Sequence, residues 1–140
     1  MKYKNPSATV DLIVKDESNR ILLIKRKHKP FKNCWALPGG YLECGKETLE
    51  EAGVRELKEE TNIDINPQDL MLIGNYSSPN RDPRGHVISH AYFVRKYSGT
   101  PKAGDDAAEF GFFYEKEFPE LAFDHRKIIG DFLKLKLGRE

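Results

Sequence analysis

Cysteine is scarce in this chain: Cys34 and Cys44 are its only two. Two are too few for a zinc site or a disulfide framework, so both are expected as reduced thiols. No apolar run approaches the roughly 18 residues of a membrane span, and no apolar stretch follows Met1 as a signal peptide would require. The expected location is therefore cytoplasmic, with no membrane partner. An excess of one charge is also missing, since 23 Lys and Arg against 22 Asp and Glu leave a net charge of +1. With no interleaving of aromatic and basic residues either, nucleic acid is not the expected partner. Internal repeats and low-complexity tracts are absent as well. What remains is 140 residues, 39% hydrophobic and 32% charged, the make-up of one soluble domain over residues 1–140. A chain of that length buries about two thirds of its unfolded surface around a single core. With the chain ending at Glu140, no second domain is expected.

The balanced total hides an asymmetry. Residues 1–34 hold nine basic and three acidic residues, and residues 35–70 hold nine acidic and three basic. Two readings stay open: the segments attract each other across the fold, or Lys25, Arg26, Lys27, Lys29 and Lys32 form a basic rim that draws in an anionic substrate.

Residues 37–63, LPGGYLECGKETLEEAGVRELKEETNI, are the stretch around which the rest is organised. A glycine-punctuated loop leads into a helix with Thr48 as N-cap and Glu51 completing a capping box. At helical spacing Glu56, Glu59 and Glu60 share one face, together with Leu49 and Ala52 and with Gly53 near its edge. Like charges so placed cost roughly 0.2–0.5 kcal/mol per pair, so either the face is merely solvated or something cationic offsets the repulsion. Hard divalent cations take oxygen ligands, and Mg²⁺ is held by a few carboxylates plus substrate phosphates. Gly53 costs up to about 1 kcal/mol against Ala inside a helix, which points to close approach by another segment.

This stretch resembles the signature box of the Nudix hydrolases, G-x5-E-x7-R-E-U-x-E-E-x-G-U with U a bulky aliphatic residue. Gly40, Glu47, Arg55-Glu56-Leu57, Glu59-Glu60 and Ile63 carry the match. Two departures stand out. Six residues rather than five separate Gly40 from Glu47, so the loop ahead of the helix must bulge, and Asn62 replaces the last glycine, a mild change because Asn also tolerates the left-handed conformation that ends a helix. The resemblance implies an α/β fold, the Nudix α/β/α sandwich with a mixed sheet. It also implies metal binding by Glu56, Glu59, Glu60 and the backbone carbonyl of Gly40, with Mg²⁺ or Mn²⁺ as cofactor. Arg55 is expected to orient Glu47 through a charge-assisted pair. Glu43 either reaches the metal shell or solvates the loop. The catalytic set implied is Glu59, Arg55 and a general base, for which Glu109 in the acidic segment 104–109 is the first choice; that segment could equally be a solvated turn. His86, His90 and His125 are expected to be packed or hydrogen-bonded rather than catalytic.

Outside the box, residues 77–89 (SSPNRDPRGHVIS), 103–109 (AGDDAAE) and 121–125 (LAFDH) are similar to family members that act as ADP-ribose pyrophosphatases. This implies hydrolysis of a nucleotide-sugar type substrate, ADP-ribose, to AMP and ribose 5-phosphate. Sanitation of oxidised nucleoside triphosphates, or a non-catalytic nucleotide-sensing module, are the alternatives; the retained Glu59-Glu60 pair favours catalysis. Arg81, Arg84 and Arg26 are the candidate substrate contacts, although Arg81 and Arg84 could instead be surface residues partnered by Asp82. A homodimer is left open. In the rest of the chain the patterning predicts strands at 8–15 and 21–27 joined as a hairpin, at 34–37, 70–76, 86–97 and 109–114, and a final helix over 124–137 capped by Asp124 and ended by Gly138.

Overall fold

A computed structural model describes residues 3–104 and 107–135. Its elements follow in chain order as strands β1 (Ser7–Ile13), β2 (Ile21–Arg26), β3 (Trp35–Ala36) and β4 (Gly39–Tyr41), helix α1 (Leu49–Thr61), strands β5 (Leu70–Tyr76), β6 (Val87–Val94) and β7 (Ala107–Phe113), and helix α2 (His125–Lys134). Four strands form a mixed sheet in the order β4-β1-β6-β5, and three form an antiparallel sheet in the order β3-β2-β7. Within the mixed sheet β1 runs parallel to β6 and antiparallel to β4.

Burial explains the layering. Along β1 and just beyond it, Val10, Leu12 and Val14 pack with Ala52 and Leu57 of α1, whereas Ile13 packs with Ile128, Ile129 and Phe132 of α2. Side chains alternate across a strand, so β1 is sandwiched, with α1 on one face and α2 on the other. Strand β2 divides in the same way, with Leu22 in the first cluster and Ile21 and Leu23 in the second. This is the expected α/β/α arrangement. It also explains why apolar Ile13 interrupts an otherwise alternating pattern: a strand covered on both faces needs apolar residues at both parities.

The expected hairpin of the first two strands does not form. Among the described residues the two segments meet just beyond β1, at a bridge between Lys15 and Ile21 and at the bonds from Leu22 N–H to the Val14 carbonyl (2.9 Å) and from Asp16 N–H to the Arg20 carbonyl (3.0 Å), without a ladder along β1 itself. Both edges of β1 are taken by β4 and β6, so β2 turns away to pair with β3 and β7. The intervening turn is closed by Asp16, whose carboxylate accepts from the Ser18 and Arg20 backbone N–H groups.

Helix α1 forms as its sequence dictates. Thr48 accepts from Glu51 N–H (3.1 Å) and Glu51 accepts from Thr48 N–H (2.8 Å), while Asn62 ends the helix in the left-handed region at φ 65°. Gly53 lets it settle on the sheet, because a Cβ there would stand 3.2 Å from Leu70 Cδ1 and 3.3 Å from Leu12 Cδ2. Helix α2 starts as expected but differs at its cap. Asp124 occupies the N-cap position without a side-chain capping bond, since its carboxylate is taken by Arg81. The expected terminator Gly138 lies outside the described residues, and no helix among the described residues is long and apolar enough to cross a membrane.

Candidate active site

Strand β4 delivers the glycines of the box to the acidic face of α1. Gly39 and Gly40 pair with Asp11 and Val10 of β1, which fixes where their backbone atoms stand. Gly39 N–H donates to Glu60 Oε1 at 2.9 Å. At Gly40 a Cβ would fall 2.2 Å from Glu56 Oε2, so only glycine leaves that carboxylate room. Two carboxylates four residues apart on α1 thus reach consecutive residues of one strand. Glu60 is buried, at 8% exposure, whereas the Glu59 side chain is 54% exposed and pairs with Arg55 (3.3 Å).

Arg55 organises the rest of the box. Its Nε and one terminal nitrogen donate to the two carboxylate oxygens of Glu47 (2.9 and 2.7 Å), and it also reaches Glu56 (3.2 Å) and the Tyr41 carbonyl (3.1 Å). The hydrogen bond from Arg55 is the main reason the Glu47 carboxyl is drawn down to about 2, and Glu47 in return raises the guanidinium pKa above its ordinary value. The additional residue before Glu47 is absorbed in a local turn, in which Lys46 N–H donates to the Glu43 carbonyl (3.0 Å), Gly45 takes φ 81° and Glu43 N–H donates to Glu47 Oε2 (2.8 Å). Glu43 itself is half exposed and stands 3.8 Å from Arg55.

Beside the acidic face opens a cleft whose lining includes Thr9, Asp11, Arg26, Gly39, Gly40, Tyr41, Glu60, Arg84, Phe123 and His125. One end is acidic and the other cationic and aromatic. Arg84 is gripped by Asp82 (3.0 and 2.8 Å) and lies over the rings of Tyr41 (4.9 Å) and Phe123 (5.4 Å). Arg26 donates to the Pro30 carbonyl (2.7 Å) and covers Phe123 at 5.0 Å. Burial, and then the neighbouring charge of Arg84, lower the Arg26 pKa from its ordinary value.

Two expected site residues are already engaged by other groups. Arg81 borders the cleft, but its side chain is only 4% exposed and its guanidinium is bound to both oxygens of Asp124 and to the Val87 carbonyl (3.4 Å). It therefore ties the 77–85 loop to the start of α2 instead of presenting its donors to a ligand. Glu109 lies opposite Lys25 on the β2–β7 pair, is 57% exposed at its side chain, and pairs with Lys25 at 3.6 Å. It is not among the residues that line the cleft, and its acidic neighbours Asp105 and Asp106 lie outside the described residues.

Patterning alone missed the polar cluster at the floor of the cleft. Asp11, Ser89 and His125 are all buried. Ser89 Oγ donates to Asp11 Oδ2, Leu37 N–H donates to His125 Nδ1 (3.0 Å), and His125 Nε2 faces Asp11 Oδ1 at 3.5 Å. Accepting at Nδ1 assigns the ring proton to Nε2, and burial lowers the His125 pKa, so the ring is neutral. Serine and histidine both address the aspartate here, so no base stands at the serine oxygen and the trio is not a nucleophilic triad. The available signal was Asp11 itself, which shares its parity in β1 with Ile13 and therefore faces inward. His86 and His90 are hydrogen-bonded to Ser77 and Asn75.

Comparison with known proteins fits this arrangement. The NUDIX domain profile matches residues 5–132. The chain belongs to the Nudix family. It is 55% identical over 136 residues to the ADP-ribose pyrophosphatase of Methanocaldococcus jannaschii, covering 97% of this chain and 78% of that protein. Among solved structures, a MutT/nudix family protein from Enterococcus faecalis superposes with a TM-score of 0.85 at 31% identity, over 99% of this chain and 65% of that one. A bifunctional NMN adenylyltransferase/ADP ribose pyrophosphatase from Francisella tularensis, complexed with AMP and a manganese ion, gives a TM-score of 0.79 at 33% identity, over 96% of this chain and 43% of that one. The chain thus spans about two thirds and less than half of these two structures.

Nudix hydrolases use divalent metal ions, and the donors present fit one. Glu56 and Glu60 offer hard oxygen ligands beside the Gly39–Tyr41 strand. Among the described residues no three His, Cys, Asp or Glu side chains gather closely enough to hold a cation by themselves, so the expected set of Glu56, Glu59 and Glu60 is not assembled, Glu59 being paired with Arg55.

Proposed function

We propose that this Nudix hydrolase cleaves the diphosphate of a nucleoside diphosphate linked to a further moiety, with ADP-ribose giving AMP and ribose 5-phosphate as the leading case. The observation that carries this reading is the polarity of one continuous cleft, with Glu60 beside Gly39 and Gly40 at one end, where Glu56 packs against Gly40, and Arg26 and Arg84 beside Phe123 and Tyr41 at the other. A diphosphate flanked by sugars and a base is anionic in its middle and planar at one end, which suits such a lining. The relative from Methanocaldococcus jannaschii, an ADP-ribose pyrophosphatase, supports the same substrate.

Glu56, Glu60 and the Gly40 carbonyl would hold Mg²⁺ or Mn²⁺, with Glu59 completing the set once it leaves Arg55. A bound divalent cation would neutralise phosphate oxygens and lower the pKa of water for in-line attack. Arg55 holds Glu47 and keeps the box loop closed on α1. Gly39 N–H orients one oxygen of Glu60. Arg84, half-exposed and braced by Asp82, contacts phosphate or ribose. The test is hydrolysis with Mg²⁺ of a panel containing ADP-ribose, other nucleoside diphosphate compounds and nucleoside triphosphates, with the phosphate-bearing products identified. Preference for triphosphates in direct competition would overturn the substrate assignment.

A further inference from the structure

Two aromatic residues at the cationic end of the cleft occupy a backbone region that bulky side chains rarely adopt: Phe31 at φ 60° and Phe123 at φ 53°. Such conformations persist only where surrounding contacts impose them, and they concentrate at ligand sites. Here the contacts are visible. Cys34 N–H donates to the Phe31 carbonyl (3.0 Å), and Asn33 N–H donates to the Arg26 carbonyl (2.9 Å). The two rings meet edge to face with centroids 4.8 Å apart. Phe123 is enclosed by Arg26, Arg84 and His125, whereas Phe31 remains 40% exposed.

The exposed side of Phe31 faces an open groove formed by Lys29, Pro30, Phe31, Lys32, Pro83 and Arg84. Its walls are flat and apolar, its charges are all positive, and Arg84 belongs both to it and to the cleft. A ligand that enters the cleft through its phosphates therefore has its neighbouring group led into this groove. Neither an aliphatic chain nor a sugar needs a ring face bordered by a guanidinium plane; a planar heteroaromatic ring does. We propose that Phe31, Pro83 and Arg84 form a stacking subsite for the base of the nucleotide substrate, with Lys29 and Lys32 adding positive charge that attracts the anionic nucleotide. The proposal rests on the nucleoside diphosphate reading and specifies where its base is held.

Binding of AMP and of ribose 5-phosphate, measured by calorimetry in the full chain, tests it. Phe31→Leu keeps apolar volume but removes the ring face, and Phe31→Tyr keeps the face. Loss of one base–aromatic stack is expected to weaken AMP binding by Phe31→Leu about 10-fold, with ribose 5-phosphate changed less than about 2-fold and Phe31→Tyr within about 3-fold of the parent. Equal weakening of both ligands, or AMP affinity indifferent to Phe31→Leu, would overturn the subsite. Should Phe31→Leu not fold, nuclear Overhauser contacts between the AMP base protons and the Phe31 ring in the parent protein decide the matter, and their absence refutes it. A parent that neither binds AMP nor hydrolyses any nucleoside diphosphate compound brings down the functional reading together with the subsite. A parent that hydrolyses ADP-ribose without dependence on Phe31 refutes the subsite alone.

Discussion

Breaking the Arg81–Asp124 pair should reveal which of the two loop arginines serves the fold and which the ligand. Arg81 is almost fully enclosed, at 4% side-chain exposure against 24% for Asp124, so the two partners are not equivalent. Asp124→Ala would leave a buried guanidinium with the Val87 carbonyl as its remaining described acceptor. Removing one member of a buried pair costs about 3–5 kcal/mol, and the partial exposure of Asp124 places this case at the lower end, about 3 kcal/mol. In Arg81→Met the side chain left behind is apolar and of similar length. The freed carboxylate sits at the N-cap of α2, where a side chain can accept from the N–H of the second helical residue, Arg126, a bond typically contributing about 1 kcal/mol. Arg81→Met should therefore cost at least about 1 kcal/mol less than Asp124→Ala. Urea unfolding at pH 7.5 measures both, and for a domain of this size about 3 kcal/mol corresponds to a fall in Tm of roughly 6–12 °C. In the folded fraction, KM for ADP-ribose should stay near the parent value for Arg81→Met and rise for Arg84→Met. A large rise in KM for Arg81→Met with stability unchanged would refute the argument.

Glu60→Gln should fold like the parent, because the glutamine Oε1 can still accept from Gly39 N–H, while turnover with Mg²⁺ falls by at least about 10²-fold; parental turnover would remove the metal-site reading. His125 has a folded pKa below its unfolded value, so the unfolded chain binds the proton first and stability falls as pH drops below about 6.5. His125→Asn, whose Oδ1 can still accept from Leu37 N–H, should flatten that part of the stability profile without raising it, and an unaltered slope between pH 7 and 5 would count against a buried neutral ring. Glu109→Gln should leave the acidic limb of the pH–rate profile in place, since the Glu109 carboxylate pairs with Lys25 outside the cleft; loss of that limb would restore Glu109 as the general base.

Local chemistry made the box helix legible in advance. Thr48 with Glu51, and Asn62 at the far end, act on backbone groups within four residues of themselves, so their consequences could be read from spacing alone. The pairing of Glu47 with Arg55 was legible for a related reason, since helical geometry sets most of the distance between them and resemblance to a known signature supplied the role. The α/β/α layering could be read from two helices and a series of strands. Which strands pair could not, because adjacent apolar residues such as Leu12 and Ile13 say only that both faces of β1 are covered, and nothing in residues 7–26 says that β2 will leave for another sheet.

Arginine shows the limit most clearly. Arg81 and Arg84 stand three residues apart in one polar loop, and each has an aspartate that satisfies it. Arg84 finds its partner two residues away, in Asp82, and stays at the cleft surface. Arg81 reaches Asp124, forty-three residues further along the chain, and is sealed beneath that surface. By itself the sequence determined the helix with its caps, the acidic face and the family to which they point. The tertiary structure alone decided which charged groups face a ligand and which are consumed by one another, because desolvation and pairing depend on what long-range folding brings within hydrogen-bond reach.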